Sequence, residues 1–313
     1  MKELRTDYLT GGYVVISPAR GERPMGFEYS GKAKESPGIT CPFCPKNEYM
    51  TPGVVGQIGQ VRTVPNLYPA FDEGSISGFG RHEVIIDTDD HTKKLHEFSV
   101  DQISDALMMM KERYLDLTLD SRIRQFQAFK NVGVTSGASI PHSHWQIVGL
   151  PFVPCLHTIM LLNFSKHKMQ TGKCYLCSKY DETETSSELI IYKNSGALSY
   201  TPYASPFPYM FDILPKTHIS NLGQLTKEAA ESLGDALKIS LSALIKLFPD
   251  LDYNVLVYSA PPHEDLSADW HLFLQIIPRS GFMAGYELST GCYINSILPE
   301  DTAVQMQNMI KRG

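Results

Sequence analysis

Four of the six cysteines fall into two CxxC pairs, Cys41/Cys44 and Cys174/Cys177, and two widely spaced histidines follow each pair. After the first come His91 and His142; after the second come His218 and His271. Two thiolates with two imidazoles make the ligand complement of a tetrahedral structural zinc site. The pattern predicts two structural Zn2+ ions. One would be held by Cys41, Cys44, His91 and His142, the other by Cys174, Cys177, His218 and His271. The ligands of each set lie far apart in the chain, so each ion would staple a folded unit rather than organise a local finger. Without metal, the same residues would be free thiols and ordinary loop histidines. Repetition of all four ligand types in the same order argues against that. Cys155 and Cys292 stand alone, and His82, His96, His157, His167 and His263 read as solvated or locally hydrogen-bonded.

A second chemistry lies in Pro141-His142-Ser-His144-Trp-Gln146. Residues two apart on a strand share a face, so His142, His144 and Gln146 point the same way. With His142 on a metal, His144 is left free in the same cleft. A neutral imidazole can attack an α-phosphorus and carry a nucleotidyl group as a phosphoramidate, splitting one displacement into two. Gln146 can donate an amide N–H to a phosphate oxygen. The preceding loop, Asn131-Val-Gly-Val-Thr-Ser-Gly137-Ala-Ser139, has small residues that let backbone N–H groups approach a phosphate. A further metal half-site or a plain core strand would use the same residue types. In the second half His271 answers His142 and Gln275 answers Gln146, but Phe273 replaces His144. The metal position occurs twice and the nucleophile once, as expected of a duplicated fold with one working site.

The elements that must position these residues repeat as well. His142 and His271 are 129 residues apart, and the two CxxC pairs are 133 apart. Apolar strands Val84–Asp87 and Met210–Leu214 precede His91 and His218. Ser99-Val-Asp-Gln102 is a capping-box pattern that opens an amphipathic helix to about Leu119, and Thr226 caps a helix to about Phe248. Strands Arg124–Lys130 and Tyr253–Ser259 follow, and then Gly- or Pro-containing loops into the histidine strands. The expected class is α+β, a tandem duplication of two units, each a mainly antiparallel sheet with helices packed on it. The boundary falls near a helix over about Cys155–Met169, introduced by Pro151 and Pro154. This divides the chain into 1–150, with the nucleophile and one metal site, and 151–313, with the second metal site.

The 313 residues are long enough for two units with their own cores, and 42% apolar with 20% charged residues is globular composition. A net charge of −6 with no basic run argues against nucleic acid or an anionic membrane as partner. No apolar stretch approaches the roughly 20 residues of a membrane helix, and the N-terminus lacks a signal-peptide core, so a cytoplasmic protein is expected.

Together these residues resemble the galactose-1-phosphate uridylyltransferase family of the histidine-triad superfamily, including its ADP-glucose phosphorylase-like branch. The resemblance runs from about Arg5 to Asp301. It is carried by Tyr8-Leu-Thr-Gly-Gly-Tyr through Arg20-Gly-Glu-Arg23-Pro, by Cys41-Pro-Phe-Cys44-Pro and by Val64-Pro-Asn66-Leu-Tyr-Pro-Ala-Phe71. Gly80-Arg-His-Glu-Val, Gly137-Ala-Ser-Ile-Pro-His-Ser-His-Trp-Gln146 and Gly285-Tyr-Glu-Leu-Ser-Thr-Gly-Cys-Tyr-Ile-Asn295 continue it. It implies two histidine-triad-like domains, usually dimerised as a homodimer, and ping-pong transfer through a nucleotidyl-His144 intermediate. By family position Arg20, Arg23 and Asn66 would contact nucleotide or phosphate, while Asn131, Ser139 and Gln146 would line the phosphate site. The partners would be a nucleotide-sugar and a sugar 1-phosphate or phosphate.

Two departures bear on the substrate. Ser and Trp stand where typical uridylyltransferases have Pro and a small residue, and the second metal set looks more like the phosphorylase-type branch. Hexose-1-phosphate uridylyl transfer is the leading expectation. The alternative is adenylyl transfer or phosphorolysis of ADP-glucose or a dinucleoside polyphosphate. Single-domain triad hydrolases carry a further histidine at the position of Gln146, which favours transfer over hydrolysis. A zinc-stapled binding protein would form no adduct on His144.

Overall fold

The computed structural model describes residues 2–21, 40–182, 188–266, 269–280 and 283–312. The chain opens with a hairpin, β1 (Glu3–Thr6) and β2 (Tyr13–Ile16). The first repeat follows as β3 (Gly56–Ile58), β4 (Val61–Pro65), β5 (Arg81–Ile86), α1 (Val100–Leu117), β6 (Gln125–Val132) and β7 (His144–Leu150). Next come α2 (Cys155–Thr171) and α3 (Tyr175–Glu182). The second repeat has the same plan: β8 (Ile190–Lys193), β9 (Ala197–Tyr200), β10 (Phe211–Pro215), α4 (Lys227–Leu247), β11 (Tyr253–Tyr258) and β12 (Phe273–Pro278). The chain ends with α5 (Gly285–Thr290), β13 (Tyr293–Asn295), which pairs in parallel with β2, and α6 (Pro299–Lys311).

The two repeats form one sheet. Its strand order, β3-β4-β5-β7-β6-β11-β12-β10-β9-β8, reads the first repeat outward-in and the second inward-out. The halves meet where β11 pairs antiparallel with β6, Asn254 opposite Asn131 and Val257 opposite Ala128. This corrects the expectation of separate cores. A single apolar cluster takes Phe126, Ala128, Trp145 and Ile147 from the first repeat, and Val255, Val257, Leu274 and Ile276 from the second. It lies beneath α1 and α4, which pack on each other.

The helices form where the sequence marks them. Ile103, Ala106, Leu107, Met110, Tyr114 and Leu117 recur at helical spacing and are the buried stripe of α1. Ser99 caps α1 by accepting from the backbone N–H of Gln102, and Thr226 caps α4 by accepting from Ala229. The capping box is only half made. The Gln102 side chain donates instead to the Asp87 carbonyl, tying the helix to the end of β5. Among the described residues no helix is long and apolar enough to cross a membrane.

The face of the sheet opposite α1 and α4 differs between the halves. In the second, Met160 and Phe164 of α2 and Leu176 of α3 cover it, packing with Trp270, Phe273 and Tyr200. Phe273 stacks on Tyr258 at 4.6 Å. His157 is buried against Trp270, its ring planes 3° apart, so it is neither solvated nor locally hydrogen-bonded as its sequence position suggested. Among the described residues of the first half, a small cluster of Phe43, Val64, Val84 and Ile86 lies on this face.

The covered half also buries a carboxyl. Asp212 of β10 sits opposite Gln275, whose amide donates to it at 3.1 Å, and burial pushes its pKa up to about 8. Because the folded value is raised, the neutral acid is the form the fold favours. This contribution is present in acid and is lost as pH rises through about 8. Asp212→Asn should therefore shrink the loss of urea-unfolding stability between pH 5 and pH 8. An unchanged difference would show that Asp212 is not the group responsible.

Candidate active site and metal-ligand clusters

β7 begins at His144 and alternates its side chains across the sheet. His144 and Gln146 face the site, while Trp145 turns into the shared core and is fully buried. The imidazole of His144 is 6% exposed, and the ring of Phe43, inside the first CxxC, lies 5.1 Å away. Its Nδ1–H donates to the carbonyl of His142 at 2.8 Å, which leaves the Nε2 lone pair free. Burial holds the His144 pKa down to about 4, and the nearby Lys130 ammonium acts in the same direction. The ring is thus a neutral imidazole near pH 7, with its unprotonated nitrogen the one not tied to the backbone.

Lys130, on the far face of β6, secures this segment from behind. Its buried ammonium donates to Asp87 at 2.8 Å, to Ser143 Oγ at 2.6 Å and to the carbonyl of His144 at 3.1 Å. The loop between β6 and β7 is clamped from the second half. Asp252, just before β11, accepts from the Thr135 backbone N–H and hydroxyl, both at 2.7 Å. Gly133 at φ +87° makes room for this: a Cβ there would fall 1.7 Å from the Asp252 carboxylate.

Gln146 joins a polar cluster on the same face. Its Oε1 lies 2.9 Å from His82 Nε2, and Asn66 Nδ2 is 3.1 Å from that same nitrogen. Asn131 receives a hydrogen bond on Oδ1 from Asn254 of β11 at 2.8 Å. A cavity of about 530 Å³ opens beside the cluster, walled by Val55, Pro69 and Phe71 with Asn66 and His82. That size and mixed lining suit a small-molecule ligand.

Both cysteine–histidine sets assemble. In each, the four ligand atoms lie within 4.8 Å of one another and can hold a metal ion. Cys44 Sγ is 3.3 Å from His91 Nδ1 and 3.6 Å from His142 Nδ1; Cys177 Sγ is 3.2 Å from His218 Nδ1 and 3.4 Å from His271 Nδ1. His142 and His271 each give their Nε2–H to a backbone carbonyl, of Thr88 at 2.8 Å and Pro215 at 3.0 Å. Their Nδ1 lone pairs consequently face the sulfurs.

Of the other residues singled out from sequence, Asn66, Asn131 and Gln146 lie in this network, and Ser139 is exposed in the loop leading to His142. Arg20 ends a short 3-10 turn and is exposed, and Arg23 lies outside the described residues. His82, Lys130, Asp252 and Asn254 were missed. Strand alternation could have put His82 on the face of Val84 and Ile86, but its place beside Gln146 requires the register of β5 on β7.

Comparison with known proteins agrees with this geometry. A family profile described as the N-terminal domain of DUF4931, a domain of unknown function, matches residues 32–153. The ADP-glucose phosphorylase of Arabidopsis thaliana is 32% identical, over 98% of this chain and 93% of its own. The galactose-1-phosphate uridylyltransferase of Thermotoga maritima is 28% identical, over 98% of each. The crystal structure of the Arabidopsis ADP-glucose phosphorylase with bound ADP-glucose superposes with a TM-score of 0.88 at 33% identity, over 98% of both chains. A one-sided site on a doubled sheet, with full-length similarity of this degree, places the chain in the galactose-1-phosphate uridylyltransferase family of nucleotidyltransferases, which includes the ADP-glucose phosphorylases.

Proposed function

We propose that the chain transfers a nucleotidyl group from a nucleotide-sugar to a phosphate acceptor through a covalent intermediate on His144. The observation that carries this reading is the state of His144: buried, neutral, and with Nδ1–H on the His142 carbonyl so that Nε2 is the nucleophile. Nε2 attacks the α-phosphorus and the sugar 1-phosphate leaves; the second phosphate then attacks the same phosphorus and restores the imidazole. Gln146 and Asn131 donate amide N–H groups to the non-bridging oxygens, where charge gathers in each transition state. Asn66 and the adjoining cavity take the nucleoside, with Arg20, Arg23 and Ser139 assigned to nucleotide or phosphate contacts. ADP-glucose as donor, with inorganic phosphate as acceptor, is favoured by the Arabidopsis phosphorylase. Uridylyl transfer between hexose 1-phosphates is the second reading, carried by the Thermotoga enzyme.

The two clusters fit structural zinc. Zn–S near 2.3 Å and Zn–N near 2.0–2.1 Å give a tetrahedral S···N edge of about 3.5 Å. The observed edges, 3.3 and 3.6 Å around Cys44 and 3.2, 3.4 and 3.9 Å in the second cluster, scatter on both sides of it. Bound there, the ions would fix the loops before β7 and β12; the transfer chemistry stays with His144. The halves 1–150 and 151–313 are read as the two duplicated units. Family membership supports a homodimer, and reduced CxxC metal sites support a cytoplasmic location.

Intact-protein mass after mixing with ADP-glucose or UDP-glucose tests the reaction. An adenylyl adduct removed by phosphate supports the phosphorylase form, and a uridylyl adduct removed by galactose 1-phosphate supports the transferase form. His144→Ala should form neither, with metal content and fold intact; an adduct on that variant would refute the mechanism. Elemental analysis should find two zinc ions per chain, and Cys174→Ala should lose one of them together with thermal stability. Full stability after metal is stripped from the second cluster would sink the structural assignment.

A further inference from the structure

We infer that His82 and Asn254 are positioning residues that hold back the amide oxygens of Gln146 and Asn131, so that both NH2 groups face the phosphate beside His144. The inference rests on the proposed roles of Gln146 and Asn131 as phosphate donors. It adds the groups that decide which end of each amide is presented.

The orientations follow from backbone groups whose roles are fixed. His82 Nδ1 lies 3.1 Å from the backbone N–H of Ala70, which can only donate, so Nδ1 is the acceptor nitrogen. Burial keeps His82 below the ordinary imidazole pKa, so the ring is neutral and carries its one proton on Nε2. That Nε2–H meets Gln146 at 2.9 Å, and only the amide oxygen can receive it. Asn66 Nδ2, whose own orientation is set by the Tyr68 N–H on its Oδ1, lies 3.1 Å from the same nitrogen as a second donor, a contact that opposes this tautomer and offers its proton no acceptor, so the Gln146 oxygen is the acceptor left to it. On the other side Asn254 Nδ2 donates to the carbonyl of Ser136 at 3.0 Å, which can only accept. The same NH2 group meets Asn131 at 2.8 Å and so takes its oxygen. In both amides the oxygen is occupied and the NH2 group is left to donate.

Strand register puts the two donors around the nucleophile. Gln146 is two residues along β7 from His144, on its face. Phe129 of β6 pairs with Gln146, so the next residue of the same face, Asn131, lies across from His144. An amide turned over would set a carbonyl oxygen against a phosphate oxygen. Without its tie, each amide would divide its time between a donating and a repelling orientation.

Single-turnover release of glucose 1-phosphate from ADP-glucose, or from UDP-glucose if that is the donor that labels His144, reads the first step directly. His82→Leu and Asn254→Asp should each slow it about ten- to hundredfold, less than the 10²–10³ of losing a donor outright. KM should change little, and His82→Gln, which keeps an N–H to offer, should recover much of the rate. The decisive readout is coupling. In a Gln146→Ala background His82→Leu should cost almost nothing further, and likewise Asn254→Asp in an Asn131→Ala background. Additive losses would assign both residues a general structural role and overturn the inference. A slow Gln146→Ala variant beside a His82→Leu variant of wild-type rate would also overturn it while leaving the proposed reaction in place. A fast Gln146→Ala variant would instead refute the donor role itself.

Discussion

The pairing of β6 with β11 is the contact on which the rest of the molecule depends. A lone five-stranded half would end in an open edge at β6, and its backbone groups would need partners. Joining two such edges makes one ten-stranded sheet and lets α1 and α4 share one core. The same seam carries Asp252 and Asn254 to the first half, where they grip Thr135, Ser136 and Asn131. The second repeat thus supplies contacts to the candidate site, although it carries Phe273 at the position of His144.

The difference between the halves is one of covering as much as of chemistry. Where His144 stands in the first repeat, the second has Phe273, stacked on Tyr258 and sealed under α2 and α3. Burying an aromatic of this size gains roughly 1.5–3 kcal/mol, so this position is part of a stabilising core in the second repeat. Gln275 persists beneath the cover, but it now pairs with Asp212, where Gln146 has Val84 across from it. Buried and bonded to Asp212, the Gln275 amide is out of reach of a phosphate.

The sequence made some of this legible and hid the rest for definite reasons. Ligand types repeat at recognisable spacing, so both clusters could be named before any fold was known. Ser99 and Thr226 announce their helices locally, and the period-two spacing of His144 and Gln146 puts Trp145 on the opposite face. Contacts set by strand register leave no such trace. Gln102 fits a capping box yet reaches the Asp87 carbonyl, and His82 resembles any polar strand residue until β5 is laid on β7. The fusion of the two sheets is equally silent, since a strand pairing with its own repeat or with the other shows the same apolar pattern. Asn254 could not be tied to Asn131 without that pairing.

The first cysteine–histidine cluster and His144, the proposed nucleophile, are joined by a short run of hydrogen bonds whose directions are all fixed. The carbonyl of Thr88 takes the Nε2–H of His142, which turns Nδ1 toward Cys41 and Cys44. Holding the His142 ring holds its backbone, and the carbonyl of His142 takes the Nδ1–H of His144. Lys130 grips the carbonyl of His144 from the other face of the sheet, so the residue is fixed on both sides. An imidazole has two nitrogens, and an unrestrained ring could offer either one protonated. A ring whose Nδ1–H is held by the backbone offers only Nε2, with its lone pair ready. On the proposed mechanism, an ion bound in the first cluster would govern which atom reacts while taking no part in the reaction, and the same ion in the second cluster would have no such bearing, because Phe273 has no tautomer to set.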